Sequence, residues 1–259
     1  MNNIDLEEKT YTTYKKRGFP YFSVGMIVVG AAMLIGGAAY YKTSDHDKYI
    51  NANMTTVAEE IDLGKTKSVE INVSAGKLEI CRSDDGKVHL DGKVPKNYVL
   101  KESGGTLRVD LSKSFFIDFD FMNMGTTDAV LYLPDAEYDR FDIESGAGEI
   151  KISDLNCDTA SFEAGAGELT IDSFKCKGKV DADIGAGELS ITNANTGELD
   201  VDVGTGEFSF SGEVNGDIDV DCGVGECNIA LTNDKAEYEK KYTVNTDTGI
   251  GETKVTFNN

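Results

Sequence analysis

Apolar and polar residues alternate with period two through most of the chain after Val69. Beyond Phe141 the alternation falls into paired blocks. Phe141/Ile143, Phe162/Ala164, Val180/Ala182/Ile184, Leu199/Val201/Val203 and Ile218/Val220/Cys222 precede a glycine motif. Ile150/Ile152, Leu169/Ile171, Leu189/Ile191, Phe208/Phe210 and Cys227/Ile229 follow it. Period two puts successive side chains on opposite faces, so each block is a half-buried strand. The motif between the blocks, Gly-x-Gly-Glu, occurs at Gly146, Gly165, Gly185, Gly204, Gly223 and Gly249, with intervals of 19, 20, 19, 19 and 26 residues. A fixed period of this size marks stacked repeats, because one unit cannot bury its apolar face and neighbouring units can. The corner glycines are expected to take positive φ and so turn the chain sharply. Val69/Ile71/Val73, Ala75-Gly76-Lys77 and Leu78/Ile80 read as a degenerate first repeat without the Glu. Val88/Leu90, Val99 and Leu107/Val109/Leu111 read as further strands. The expected fold is all-β: a β-solenoid of stacked 19–20-residue coils, preceded by one N-terminal transmembrane helix.

That helix is expected over residues 18–41, where 24 residues carry no charge. At 1.5 Å rise per residue such a run crosses a hydrocarbon core of roughly 30 Å. Phe19, Tyr21, Phe22, Tyr40 and Tyr41 flank it, and Lys15-Lys16-Arg17 precedes it, which predicts an N-in, C-out orientation. A signal peptide cleaved near Gly37-Ala38-Ala39 is the alternative. The expected division is 1–17 cytoplasmic tail, 18–41 transmembrane helix, 42–67 stalk or linker with a short helix around Met54–Glu60, and 68–259 β-solenoid ectodomain. Its regular repeats run over 139–259, and Lys235–Lys241 forms a charged bulge between coils.

Charge narrows the partners. The net charge is −21, and residues 139–259 hold 26 acidic and 9 basic residues. Nucleic acid, whose binding needs a basic footprint, is not an expected partner. Two residues before each first glycine stand Glu144, Glu163, Asp183, Asp202, Asp221 and Asp247. Four before stand Asp142, Ser161, Asp181, Asp200, Asp219 and Asn245. Stacked like charges repel unless screened. Asp181, Asp183, Asp200, Asp202, Asp219 and Asp221 are therefore candidate Ca²⁺ ligands, since hard cations take several carboxylate oxygens. The other reading is a solvated acidic face that keeps the surface soluble. Beyond Ca²⁺ no cofactor is expected.

The cysteines are Cys81, Cys157, Cys176, Cys222 and Cys227. Cys157 and Cys176 fall at equivalent repeat positions, and Cys222 and Cys227 flank one corner. They read either as small buried core residues or as disulfide pairs. Phe115, Phe116, Phe119 and Phe121 lie in the most apolar stretch outside the membrane helix. They read either as a partner or membrane-facing surface or as core and cap packing.

Val130-Leu-Tyr-Leu-Pro134, with Phe141-Asp-Ile-Glu-Ser-Gly-Ala-Gly-Glu-Ile-Lys-Ile-Ser-Asp-Leu155 and its repeats, resembles a bacterial envelope family labelled "putative adhesins". The resemblance covers about residues 69–257. It implies a β-strand repeat domain following a single membrane helix, exposed at the cell surface, and it brings no catalytic residues. The chain has four arginines, two histidines and no tryptophan. Its carboxylates repeat regularly, whereas a catalytic site breaks a pattern once. Catalysis, including cleavage of acidic polysaccharides, is therefore not expected. The expected role is a bacterial surface-interaction or envelope-structural module held in the cell membrane with its C-terminal domain outside. The alternative is a sensor subunit acting through a membrane partner.

Overall fold

A computed structural model describes residues 54–112 and 126–258. The expected tail, the transmembrane helix and residues 42–53 of the expected stalk lie outside the described residues, as do Phe115, Phe116, Phe119 and Phe121. Among the described residues, no helix is long and apolar enough to cross a membrane.

The chain forms β1 (Met54–Ile61), β2 (Ser68–Ser83), β3 (Val88–Pro95), β4 (Val99–Ser103), β5 (Thr106–Leu111), β6 (Thr127–Pro134) and β7 (Tyr138–Ile152). There follow β8 (Leu155–Ala164), β9 (Glu168–Ile171), β10 (Phe174–Cys176), β11 (Val180–Ile184), β12 (Glu188–Thr196), β13 (Leu199–Val214) and β14 (Ile218–Asp234). A single helical turn, α1 (Lys235–Tyr238), precedes β15 (Val244–Asn258).

The expected solenoid is present. From β2 and β7 to β15 all pairing is parallel, with each coil in register on the next apart from shifts between Ile191 and Ala194 and between Leu231 and Asp234. Val180 pairs with Leu199, Leu199 with Ile218 and Ile218 with Val244. Across the corner, Leu189 pairs with Phe208, Phe208 with Cys227 and Cys227 with Thr253. A shorter third strand closes each middle coil, placing Leu155, Phe174 and Ala194 in one row and Cys157, Cys176 and Thr196 in the next. Register of this kind turns the sequence period into columns of identical environment. The inward columns are therefore buried and mostly apolar, with Phe141, Phe162, Phe174, Phe208 and Phe210 among their largest members and Ser145, Thr196 and Thr253 as polar exceptions. Burial of one such side chain contributes roughly 1.5–3 kcal/mol.

β2 is the degenerate repeat in fact as well as in pattern: Ala75-Gly76-Lys77 pairs with Ala147-Gly148-Glu149. Its other edge holds β5 and β6, which together make one more coil. β2 thus lies between strands that follow it in the chain. Beyond that coil the pairing turns antiparallel: β4 on β5, β3 on β6 and β1 on β3. These strands cap the N-terminal end of the stack. The helix expected around Met54–Glu60 is instead β1. Thr55, Thr56 and Val57 are β-branched, which favours a strand. The whole segment pairs with β3 from Met54↔Pro95 to Ile61↔Val88.

The corner glycines act differently from the expectation. Of the motif glycines only Gly225 and Gly251 have positive φ. The reason for glycine is the preceding coil. A Cβ on Gly148, Gly167, Gly187, Gly206, Gly225 or Gly251 would lie 1.8–2.4 Å from the carbonyl oxygen of the equivalent glycine below it. The ladder also runs unbroken through the corners, where Ala166, Ala186 and Thr205 donate N–H bonds of 2.7 Å to Gly146, Gly165 and Gly185. The other corner uses Asn193, which takes φ 50°. Asn tolerates this left-handed conformation better than most residues.

The bulge at Lys235 is pinned from inside. Asp234 caps α1 by accepting the Glu237 N–H at 2.9 Å. Tyr238 is buried against Tyr242 and Phe257 and donates its hydroxyl to Gly216 O at 2.6 Å.

Candidate functional site

In-register stacking turns each outward sequence position into a row along the solenoid. One row joins Glu70, Asp142, Ser161, Asp181, Asp200, Asp219 and Asn245. Its neighbour joins Asn72, Glu144, Glu163, Asp183, Asp202, Asp221 and Asp247. The six candidate Ca²⁺ ligands Asp181, Asp183, Asp200, Asp202, Asp219 and Asp221 thus share one face, three on each row. Across the corner a third row stacks Glu149, Glu168, Glu188, Glu207, Glu226 and Glu252, all exposed. Lys77 heads that row and pairs with Glu149 at 3.2 Å.

Partial burial and crowding of like charge both act on these carboxyls. Partial desolvation, then the neighbouring Asp181, holds Asp183 above the usual aspartate range. Partial desolvation, then Asp221, Asp200 and Asp183, does the same for Asp202. Glu163 is raised in the same way, chiefly by desolvation and next by Glu144. The protein neutralises parts of the face itself. Lys179 Nζ lies 2.6 Å from Asp200 and 3.4 Å from Asp181, and Arg140 Nε lies 2.6 Å from Asp142.

The candidate disulfide residues are brought together in the pairs expected, as free thiols. Cys157 and Cys176 are register partners in the buried column of the third strands. Cys222 and Cys227 face each other inside one corner. A hydrogen bond to the partner thiol, reinforced by burial, pushes Cys157 and Cys227 far above the ordinary thiol range. Cys81 alone is partly exposed, with desolvation raising its thiol.

One cluster was not anticipated from the sequence. On the cap, Glu60, Asp85 and His89 each offer one ligand atom, and these atoms lie within 4.8 Å of one another. Only the antiparallel pairing of β1 with β3 brings Glu60 opposite His89, and nothing in their separate sequence positions signals it.

Residues 66–255 match the profile of a protein family described as Toastrack DUF4097. None of the curated proteins matches the chain. Among solved structures, a putative adhesin from Bacteroides fragilis is 16% identical, with 77% of this chain and 96% of that chain covered and a TM-score of 0.44. A putative lipid binding protein from Parabacteroides distasonis is 13% identical, with 80% and 97% covered and a TM-score of 0.41. A putative cell adhesion protein from Clostridium sporogenes is 13% identical, with 79% and 100% covered and a TM-score of 0.38.

Proposed function

This chain belongs to the Toastrack DUF4097 family, and we propose that it is a membrane-anchored bacterial protein whose β-solenoid stands outside the cell as a surface-interaction or envelope-structural module. The observation that carries this reading is the pair of in-register acidic rows, Asp181/Asp200/Asp219 and Asp183/Asp202/Asp221, repeated along one open sheet face. A flat, repeated surface offers many equivalent contacts to an extended polymer or to another envelope component. Solenoids supply such extended binding surfaces by stacking. Anchoring and orientation rest on the uncharged run over 18–41 and the basic Lys15-Lys16-Arg17 before it.

Protease shaving of intact cells tests the reading. Release of fragments from residues 54–258 without lysis supports external display. Complete protection in intact cells, with cleavage only after lysis, overturns it. Copurification from detergent-solubilised membranes then separates two roles. A stoichiometric integral-membrane companion favours the sensor-subunit alternative, and retention on isolated cell-wall polymer favours adhesion.

A further inference from the structure

The antiparallel cap holds three chemically matched groups. Glu60 and His89 are register partners on β1 and β3, so their side chains stand side by side on one face. Asp85 lies in the turn between β2 and β3, and its Oδ1 is 2.9 Å from His89 Nε2. One ligand atom from each residue lies within 4.8 Å of the other two.

The arrangement is held in place from several sides. Ser83 Oγ donates to Asp85 Oδ1 at 2.8 Å, and the Lys87 backbone N–H donates to the same atom at 3.0 Å. On its other side His89 pairs in register with Tyr132, and the two rings meet edge to face with centroids 6.3 Å apart. The imidazole is thus set between a carboxylate on one strand and an aromatic ring on the next. The protein already places a cation here, since Lys87 Nζ is ion-paired with Glu60.

We propose that Glu60, Asp85 and His89 form a binding site for a divalent transition-metal ion of the Zn²⁺ class. One imidazole nitrogen and two carboxylate oxygens bind the ion, and water completes its shell. Three protein ligands with an open position is a recognised Zn²⁺ arrangement. An imidazole in the set favours Zn²⁺ and its neighbours over Ca²⁺ or Mg²⁺, which take oxygen ligands in larger number. Ligands about 2.0–2.1 Å from a tetrahedral ion stand roughly 3.3 Å apart. The observed 2.9 Å between His89 and Asp85 therefore needs to open by only a few tenths of an ångström. The bound ion joins the outermost cap strand to the β2–β3 turn and to β3, which fastens the N-terminal end of the stack. Lys87 competes with the ion for Glu60.

The test is calorimetric titration of the full chain in detergent with Zn²⁺, with Mg²⁺ and Ca²⁺ as controls, alongside thermal melting. One Zn²⁺ per chain, and a melting temperature raised by Zn²⁺ above that with either control, are expected. His89→Ala and Glu60→Gln each weaken Zn²⁺ binding by at least about ten-fold, the low end of what disturbing even an outer partner of a metal site costs. Glu60→Gln keeps the strand surface nearly unchanged, so its result stands if His89→Ala fails to fold. Lys87→Met removes the competing ammonium and tightens binding. No Zn²⁺ binding, binding undiminished in Glu60→Gln, or binding not tightened in Lys87→Met overturns the assignment.

Discussion

A Cβ placed on Gly206 would sit 2.0 Å from the carbonyl oxygen of Gly187 in the preceding coil. The two glycines are one repeat apart in sequence and in contact in space, so the Gly187 backbone leaves no room for a side chain at 206, as the Gly167 backbone leaves none at 187.

Gly206→Ala is therefore expected to cost about 3 kcal/mol or more, at or above the upper range for overpacking, because backbone rather than a flexible side chain must move. Ala186→Val, at the exposed middle position of the preceding corner, is expected to stay within about 0.5 kcal/mol. Urea denaturation of both variants measures the difference. Equal stabilities would show that the corner has freedom to relax.

Ser145 occupies an inward column between Val73 and Ala164. Its hydroxyl is buried without a hydrogen-bond partner, as is that of Thr196. A buried unsatisfied polar group costs about 1–3 kcal/mol. Ser145→Ala and Thr196→Val are both expected to raise the unfolding free energy, by about 1 kcal/mol each. A loss of stability in either would mean that its hydroxyl has a partner in solution.

The acidic face gives a definite pH dependence. Asp183 and Asp202 titrate above the ordinary 3.8 in the folded state. Between that value and their raised folded values the native protein holds more protons than the unfolded chain. Stability contributed by these groups therefore falls as pH rises through that window. Asp183→Asn/Asp202→Asn should melt higher than the parent at pH 7, and the gap should narrow as pH falls towards 3.8. Added Ca²⁺ should raise the parent's melting temperature more than that of an Asp183/Asp202/Asp221→Asn variant. An unchanged melting temperature in the Asn variants would show that solvent already screens the face.

Thiol counting reads the cysteines directly. Four of the five are buried and Cys81 is partly exposed, all as free thiols. A thiol reagent should label one cysteine in the native protein and five after denaturation without reductant. Three or one after denaturation would mean that one or both buried pairs, Cys157/Cys176 and Cys222/Cys227, had formed disulfides.

Much of this was legible in the residue order. The motif period announced stacked coils, and the alternation assigned inward and outward positions. Phe208 and Phe210 are buried and Asp183 and Asp202 exposed as the pattern requires. The reason is that parallel in-register stacking maps one repeat onto the next, so a one-dimensional period becomes a column in space. For the same reason the pairing of Cys157 with Cys176 could be read from their equivalent repeat positions.

Where the chain leaves the repeat, sequence loses that power. Met54–Glu60 reads as a short helix in a stalk and folds as a strand, because β3 offers it an edge. β2 lies between β6 and β7 although β3 to β6 intervene in the chain, a choice made by long-range pairing that no local pattern encodes. The corner glycines were legible as corners. Their cause, backbone contact between coils rather than positive φ, appears only when the coils are stacked. The sequence alone determined the repeat, its faces and its charge, since these follow from period and composition. The tertiary structure alone decided the order of the N-terminal strands, the steric demand at the corners and the meeting of Glu60 with Asp85 and His89, since each depends on which distant segments share an edge.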